Sequence, residues 1–149
     1  MTRFSSFAEA GRLLVPALLA LPDLQDACVI GLNDRGALVA QPVAEVFGAP
    51  VVRVFVVSRH GQKLADGLPD VRDRNVVVVD DGVETGSAAR VLAAALREQS
   101  ARRIVLAVPV CSAAQVAPLG ELYDDLVALS VAPDGLPLSG HYESFDLLS

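Results

Sequence analysis

The chain has 149 residues, of which 52% are hydrophobic, and it carries a formal net charge of -6. The hydrophobic content excludes an intrinsically disordered chain. The acidic balance argues against a general nucleic-acid or membrane-surface binder, because such proteins usually carry a basic face. The length fits a single domain over residues 1–149 that buries a real hydrophobic core.

Cysteine spacing and the N-terminal segment bear on the compartment. Cys28 and Cys111 lie far apart, and no Cys or His pair has the short spacing of a zinc site. Two reduced, buried thiols are therefore expected. Glu9 and Arg12 interrupt the N-terminal apolar run, which argues against a signal peptide, and no apolar run is long enough to span a bilayer. We expect a soluble, cytoplasmic protein.

The first part of the chain alternates between helical and strand-like patterns. Ser5 and Ser6 precede apolar residues at helical spacing, which predicts a capped helix that ends near Pro22. A second helix is expected to end on Gly48, with Pro42 in its first turns. The segments after the first helix are predicted to be a strand, this second helix, a second strand and a charged loop, at residues 27–32, 37–48, 50–58 and 59–74.

The second part of the chain continues the alternation. It is predicted to form a strand, a helix, a strand, a short helix capped by Ser112 and a last strand, at residues 75–80, 87–101, 102–110, 112–123 and 125–131. The tail from residue 132 onward shows no clear periodicity. Continuous apolar, β-branched strands that alternate with helices indicate a parallel sheet covered on both faces. The predicted fold class is therefore α/β: a single doubly wound domain with a central, mainly parallel five-stranded sheet flanked by helices.

Two adjacent carboxylates stand at the end of the third predicted strand, in the stretch VVVVDDGVETGSA at residues 76–88. Asp80 and Asp81 repel each other and gain nothing from a hydrophobic core. A helix cap would explain one of them and leave the other unexplained. In doubly wound folds, ligands bind beyond the carboxyl ends of the strands, where the strand order reverses. The pair is therefore expected at a ligand site.

The loop after the two acids has the composition of an anion site. Gly82 and Gly86 allow a tight turn, and Thr85 and Ser87 offer hydroxyl donors. The following helix directs its unpaired N–H groups at the same place. The spacing fits neither a Walker A loop nor a dinucleotide fingerprint. The residues therefore indicate a phosphosugar site, with hydroxyls or a hydrated magnesium ion on the acids and phosphate on the loop.

The same stretch resembles the phosphoribosyl-pyrophosphate motif of the type I phosphoribosyltransferases: a hydrophobic run, two acids, three variable residues and Thr-Gly. Residues 4–21, 31–57 and 138–148 resemble the N-terminal helix, the pyrophosphate-loop region and the aromatic tail of a bacterial subgroup of that family. The resemblance therefore covers about the whole chain. It implies transfer of the 5-phosphoribosyl group from phosphoribosyl pyrophosphate (PRPP) to a nitrogen base, with release of pyrophosphate.

The resemblance also implies residue roles. The two acids would hold the ribose hydroxyls, the loop after them the 5′-phosphate, and the loop after the first strand the pyrophosphate. Mg²⁺ would arrive with PRPP near the acids, without a direct protein site, and a homodimer is expected. The residues so assigned to substrate binding are Asn33, Asp34, Arg35, Gly36, Asp80, Asp81, Gly82, Val83, Glu84, Thr85, Gly86 and Ser87.

Two of these residues are also catalytic candidates. Arg35 would neutralise the departing pyrophosphate, although without the resemblance a solvated surface arginine would be the better interpretation. Glu84 stands where the purine-salvage branch of the family has an aspartate thought to act as a base. It is either a general base or an exposed acid that favours the N-terminus of the following helix.

The chain departs from the family pattern in three places. Ala88 replaces a usual threonine, Asp34 puts a negative charge beside the expected pyrophosphate, and the segment 59–74 is shorter than the usual hood. Side chains that could still serve the site are Arg59, His60, Lys63, Arg72 and Arg74 in that segment, and His141 and Tyr142 in the tail. Two alternatives to the enzyme remain. The shortened hood and Asp34 favour a non-catalytic PRPP- or nucleotide-binding regulatory protein, whereas the intact acidic pair and Thr-Gly disfavour a structural or partner-binding domain.

Overall fold

A computed structural model describes residues 3–143 and 145. Its helices are α1 (Phe7–Leu19), α2 (Asn33–Phe47), α3 (Ser87–Glu98) and α4 (Ala113–Leu122), with a short 3₁₀ turn at Leu138–His141. Its strands are β1 (Cys28–Leu32), β2 (Val51–Arg59), β3 (Gln62–Asp66), β4 (Asn75–Val79), β5 (Arg103–Ser112) and β6 (Asp125–Ala132). Within the described residues, every helix is too short or too polar to cross a membrane.

The described strands form one sheet in the order β3-β2-β1-β4-β5-β6. All neighbours are parallel except β3, which runs antiparallel to β2. The α/β class with a mainly parallel central sheet is confirmed, whereas the count of five strands is wrong, because the sheet has six. The chain leaves β1 toward β2 and later returns to β4 on the other side of β1. The carboxyl ends of β1 and β4 therefore border the switch point where such folds bind ligands.

The additional strand lies inside the segment that was expected to be a loop. β3 pairs with β2 from Arg59↔Gln62 to Phe55↔Asp66, and His60 and Gly61 form the turn with φ of 51° and 76°. Both central residues of such a tight hairpin turn take positive φ. The side chains of β3 are mostly exposed, as is common for an edge strand. Its charged composition therefore hides the strand in the sequence.

Helix α2 begins four residues earlier than predicted. It starts at Asn33, directly after β1, so the expected pyrophosphate loop at residues 33–36 is the first turn of the helix. Pro42 consequently lies in the middle of the helix and not in its first turns. The predicted end is correct, because Gly48 takes the left-handed conformation with φ of 64° just after the helix.

The four valines of β4 explain the apolar run that precedes the acids. Val76 and Val78 pack in one core cluster with α3, whereas Val77 and Val79 pack in the other with α1 and α2. All four side chains are fully buried, since β4 lies in the middle of the sheet and helices cover both faces. The acids therefore follow a strand that pairs with a neighbouring strand on each side and is covered by helices on both faces.

The tail crosses back over the fold and joins the N-terminal segment. Phe4 N–H donates to the His141 carbonyl at 2.8 Å, and Glu143 N–H donates to the Phe4 carbonyl at 2.8 Å. The rings of Phe4, Phe7, Tyr142 and Phe145 pack with centroid distances of 4.8 to 5.6 Å. This cluster places the tail against the carboxyl edge of the sheet, because the Tyr142 hydroxyl donates to the Asp81 carbonyl at 2.6 Å.

Helix α1 has the serine cap that the sequence predicts, whereas α4 has a different cap from the predicted Ser112. Ser6 caps α1 by accepting from Glu9 N–H at 3.1 Å. Ser112 makes no capping bond of its own. Its hydroxyl donates to the Asp134 carboxylate, which also accepts from Ala114 N–H at 3.0 Å. The cap of α4 is therefore Asp134, a tail residue.

Candidate active site

Asp80 and Asp81 extend β4 into the switch point. Asp81 is buried, Asp80 is half-buried, and Asp81 N–H donates to the Asp80 carboxylate at 2.8 Å. Helix α2 approaches this strand end at Gly36. A Cβ there would lie 2.8 Å from the Val79 carbonyl oxygen and 3.1 Å from Asp80 Oδ1, so only glycine allows the approach. Gly36 therefore shapes the site from behind and lines neither of its clefts.

The two carboxyl groups are held in an environment that opposes double ionisation. Burial, and then the negative charge of Asp81, raise the pKa of Asp80 well above its usual value. Burial also raises the pKa of Asp81, against the lowering effects of its hydrogen bond with Asp80 and of the positive charge of Arg35. Hydrogen-bond donors or a cation brought by a ligand would relieve this repulsion. The pair is thus suited to binding sugar hydroxyls or a hydrated divalent ion.

The loop after the acids is pinned to β5 at one residue. Val83 N–H donates to the Val110 carbonyl and Ser112 N–H donates to the Val83 carbonyl, both at 2.9 Å. Gly86 takes φ of 77° at the start of α3. The loop borders a cleft of about 420 Å³, lined by Arg35, Asp80, Asp81, Gly82, Val83, Glu84, Thr85, Gly86, Ser87, Ala88, Ala89, Pro137, Leu138, Ser139 and Phe145.

Two cations support the loop, and neither was assigned to it from sequence. Lys63 reaches from β3 and its Nζ lies 2.5 Å from Ser87 Oγ at the start of α3. Arg90, one turn into α3, donates from Nη1 to the Thr85 carbonyl at 2.7 Å. The hairpin fold that carries Lys63 was not predicted, and Arg90 lies outside the motif. Both add positive charge to a place that already receives helix N–H groups.

Other charged residues of the segment 59–74 lie away from the clefts. Arg74 precedes β4 and donates to the Asp26 carbonyl at 3.3 Å, and Arg72 pairs with Ala101, both at the opposite end of the strand from Asp80. The expectation that these two arginines reach pyrophosphate is therefore wrong. Arg59 forms an exposed ion pair with Asp66 at 3.8 Å.

A second cleft of about 400 Å³ lies on the other side of the acids. It is lined by Asn33, Asp34, Arg35, Phe55, Asp80, Asp81, Gly82 and Leu138. Arg35 borders both clefts, and its guanidinium carbon lies 4.3 Å from the centre of the Phe145 ring. Asp34 pairs with Arg53 at 3.6 Å, so its negative charge beside the cleft is partly balanced.

The tail supplies walls that the sequence did not reveal. Pro137, Leu138 and Ser139 line the first cleft, and Leu138 N–H donates to the Glu84 carboxylate at 2.7 Å. Tyr142 lies behind the acids; burial, and then the charges of Asp81 and Asp80, raise its pKa, so its phenol stays a donor. His141 is also buried, and its Nδ1 has no partner among the described residues. The tail is thus part of the site.

Comparison with known proteins identifies the family of this chain. The family model described as phosphoribosyl transferase domain matches residues 17–131. The chain belongs to this family. The phosphoribosyltransferase is 34% identical over 130 residues to adenine phosphoribosyltransferase of Kineococcus radiotolerans, an alignment that covers 76% of this chain and 68% of the relative.

Solved structures agree with the fold. The TT1426 protein of Thermus thermophilus superposes on the phosphoribosyltransferase with a TM-score of 0.84 at 27% identity, over 97% of this chain and 92% of the other. Purine phosphoribosyltransferase of Pyrococcus horikoshii gives a TM-score of 0.64 at 18% identity, over 91% and 94% of the two chains, and supports the fold alone.

The expected reaction class is confirmed with the family. The phosphoribosyltransferase is an enzyme that transfers the 5-phosphoribosyl group from PRPP to a nitrogen base and releases pyrophosphate. Its partners are accordingly small molecules. Of the residues that the sequence singled out, Asp80, Asp81, Gly82 and Arg35 border both clefts, whereas Gly36 is buried behind them.

Proposed function

We propose that the phosphoribosyltransferase uses a purine as its acceptor base, and that the two clefts hold the two halves of PRPP. The observation that carries this proposal is the meeting of both clefts at Asp80, Asp81 and Arg35. A sugar at the acids would place its 5′-phosphate in one cleft and its pyrophosphate in the other. The purine is proposed because a relative at 34% identity is an adenine phosphoribosyltransferase.

The acids are proposed to hold the ribose 2′- and 3′-hydroxyls. Carboxylate oxygens accept hydrogen bonds from both hydroxyls, and each such bond stabilises a pair whose ionisation is otherwise opposed. The raised pKa of Asp80 supports this role, since the pair is most stable with a donor between its oxygens. The acids would also carry negative charge close to the cationic sugar of the transition state.

The loop from Gly82 to Gly86 is proposed to bind the 5′-phosphate, together with Thr85 and Ser87. Backbone N–H groups at the start of α3 supply donors, and Lys63 supplies a positive charge 2.5 Å from Ser87 Oγ. Phosphate would replace this contact with an ion pair to the same ammonium group.

The pyrophosphate is proposed to lie in the second cleft, at the N-terminus of α2. The first turn of α2 offers the backbone N–H groups of Asn33, Asp34 and Arg35, and the Arg35 side chain offers a cation beside both clefts. A helix N-terminus would thus take the place of the expected loop. Arg35 would stabilise the negative charge that develops on the leaving group.

Magnesium fits this donor set as a companion of the substrate. Within the part of the chain that the structure describes, no three metal-ligating side chains lie together. Mg²⁺ commonly uses one or two protein carboxylates plus substrate phosphates, and Asp80 and Asp81 fit that pattern. When bound, the ion would offset charge on the departing pyrophosphate.

The mechanism is proposed to rest on positioning and exclusion of water. The sugar carbon under attack would lie between the clefts, with the base on the tail side and pyrophosphate on the α2 side. Pro137 and Leu138 would exclude water from that carbon. We also propose that residues 1–149 act as one domain, in the cytoplasm and as a homodimer.

A steady-state assay of pyrophosphate release tests the acceptor. Adenine, guanine, hypoxanthine and xanthine would each be supplied with PRPP and Mg²⁺. The expected result is turnover with at least one purine and none with Asp81→Asn. PRPP binding without turnover on any base would favour the regulatory alternative instead.

A further inference from the structure

Glu84 makes a contact that neither sequence interpretation anticipated. Its Oε1 accepts from Leu138 N–H at 2.7 Å, across 54 residues of sequence. A bond from a backbone amide to a carboxylate is charge-assisted and among the stronger hydrogen bonds in proteins. The acid of the phosphate loop is therefore bonded to the tail.

Leu138 touches the same loop a second time through its side chain. A Cβ built on Gly82 would lie 2.5 Å from Leu138 Cδ2, so the leucine occupies the space that glycine leaves. Leu138 also lines both clefts. Its position therefore sets a wall that the two halves of the site share.

The tail has few other attachments near the cleft. Asp134 holds it at one end through Ser112 and Ala114, and Tyr142 holds it at the other through the Asp81 carbonyl. Between these anchors, residues 135–140 make one described hydrogen bond to the rest of the protein, from Leu138 N–H to Glu84. Loss of this bond would leave the segment held by side-chain packing alone.

We propose that Glu84 is a positioning residue that holds the tail segment 137–139 against the cleft and thereby forms the wall of the acceptor pocket. It is not the general base. This inference rests on the proposed function, because it takes the tail side of the first cleft as the place where the base binds. The tail would then cover part of the active site, which the longer hood covers in related enzymes.

Two substitutions separate positioning from base catalysis. Glu84→Gln keeps an oxygen that accepts from Leu138 N–H but removes the basic carboxylate, whereas Glu84→Ala removes both. Glu121→Gln, an exposed acid of α4 outside the clefts, controls for the change in net charge. The measurements are hydrogen exchange of the peptide that contains Leu138, and steady-state kinetics with PRPP and whichever purine the wild type uses.

Positioning predicts faster exchange at Leu138 in Glu84→Ala and a KM for the purine raised about tenfold, with a smaller change in kcat. In Glu84→Gln, the Leu138 amide should keep most of its wild-type protection from exchange, and the KM for the purine should stay close to the wild-type value. The pH–rate profile of this variant should have the same shape as that of the wild type. A fall in kcat of about a hundredfold or more in both variants, with unchanged exchange, would overturn the inference in favour of a base. Unchanged exchange and kinetics in Glu84→Ala would overturn it as well.

Different results would contradict the proposed function and the inference about Glu84. A wild type that neither binds PRPP nor turns over any purine contradicts the proposed function, whatever the variants do. A wild type that is active, with Glu84→Gln as impaired as Glu84→Ala, contradicts the inference and leaves the proposed function standing.

Discussion

Asp80 opposes the stability of the fold at neutral pH. Its folded-state pKa is raised by burial and by the charge of Asp81 above the unfolded value. The proton therefore binds the folded state more tightly, and the stability present below the usual Asp pKa of about 4 is lost as pH rises through the raised pKa. An acid retained at such a cost is expected to serve binding.

Because the folded-state pKa of Asp80 is raised, removing its charge should stabilise the protein at neutral pH. Asp80→Asn should raise the free energy of unfolding at pH 7 and should have little effect on it near pH 4. Asn still offers an oxygen to Asp81 N–H. Thermal melts from pH 4 to pH 8 measure the difference, with Glu121→Gln as the exposed control. A variant that is destabilised at pH 7 would refute the account of this pair.

Arg35 and Lys63 are predicted to serve different halves of PRPP. Arg35→Gln should weaken PRPP binding by roughly 1.5–3 kcal/mol, since a hydrogen bond to a charged group is lost, and should weaken the binding of ribose 5-phosphate, which lacks pyrophosphate, to a smaller extent. Lys63→Met should weaken both ligands. Arg97→Gln, in the exposed pair with Asp124 outside both clefts, is the control. Equal losses for the two ligands with Arg35→Gln would contradict its assignment.

At the scale of elements, the site depends on the close approach of α2 to the end of β4. Gly36 permits this approach, because a Cβ would lie 2.8 Å from the Val79 carbonyl oxygen. Gly120 of α4 is the natural comparison, since a Cβ there would meet nothing within 4 Å. Both glycines therefore lie in helices, but only at Gly36 would an added Cβ meet neighbouring atoms.

Gly36→Ala is predicted to destabilise the protein by roughly 1–3 kcal/mol, because the added methyl forces α2 away from Asp80. Gly120→Ala should stabilise it by roughly 0.5–1 kcal/mol through helix propensity. Urea denaturation gives both values. If the two alanines have effects of the same sign, the packing of α2 on β4 is not what Gly36 provides.

The sequence predicted local structure where the informative residues lie close together along the chain. Four buried valines, two acids and Thr-Gly lie within residues 76–86, so the strand and the turn after it could be predicted together. The anion site expected in the same stretch stays a prediction. The start of α2 and the strand β3 could not be predicted, because polar residues at both places resemble a loop. Asp134 caps α4 from 20 residues away, and Leu138 uses a backbone N–H, so neither contact leaves a pattern in the sequence.

At the scale of the molecule, the tail and the N-terminal segment together brace the acids from behind. Tyr142 packs on Phe4 and Phe7 and donates its hydroxyl to the Asp81 carbonyl. The position of Asp81 therefore depends on residues from both ends of the described chain. If the acids hold the sugar as proposed, these contacts would fix the sugar site from behind.

Tyr142→Phe tests this bracing. It keeps the ring and removes one buried hydrogen bond, so it should lower the free energy of unfolding by about 1 kcal/mol, and PRPP binding should weaken severalfold. Tyr123→Phe is the matched control, because its buried hydroxyl donates to the Ala89 carbonyl at 2.8 Å and makes no hydrogen bond to either acid. Equal loss of PRPP affinity in both variants would mean that Tyr142 acts through stability alone.

The most direct test of the central claim is calorimetric titration of the protein with PRPP, with and without Mg²⁺. The comparison is between the wild type and the double variant Asp80→Asn/Asp81→Asn. We predict magnesium-dependent binding to the wild type and none to a double variant that remains folded. Binding that survives in the double variant, or no binding by the wild type, would contradict the assignment of the acids to the phosphosugar.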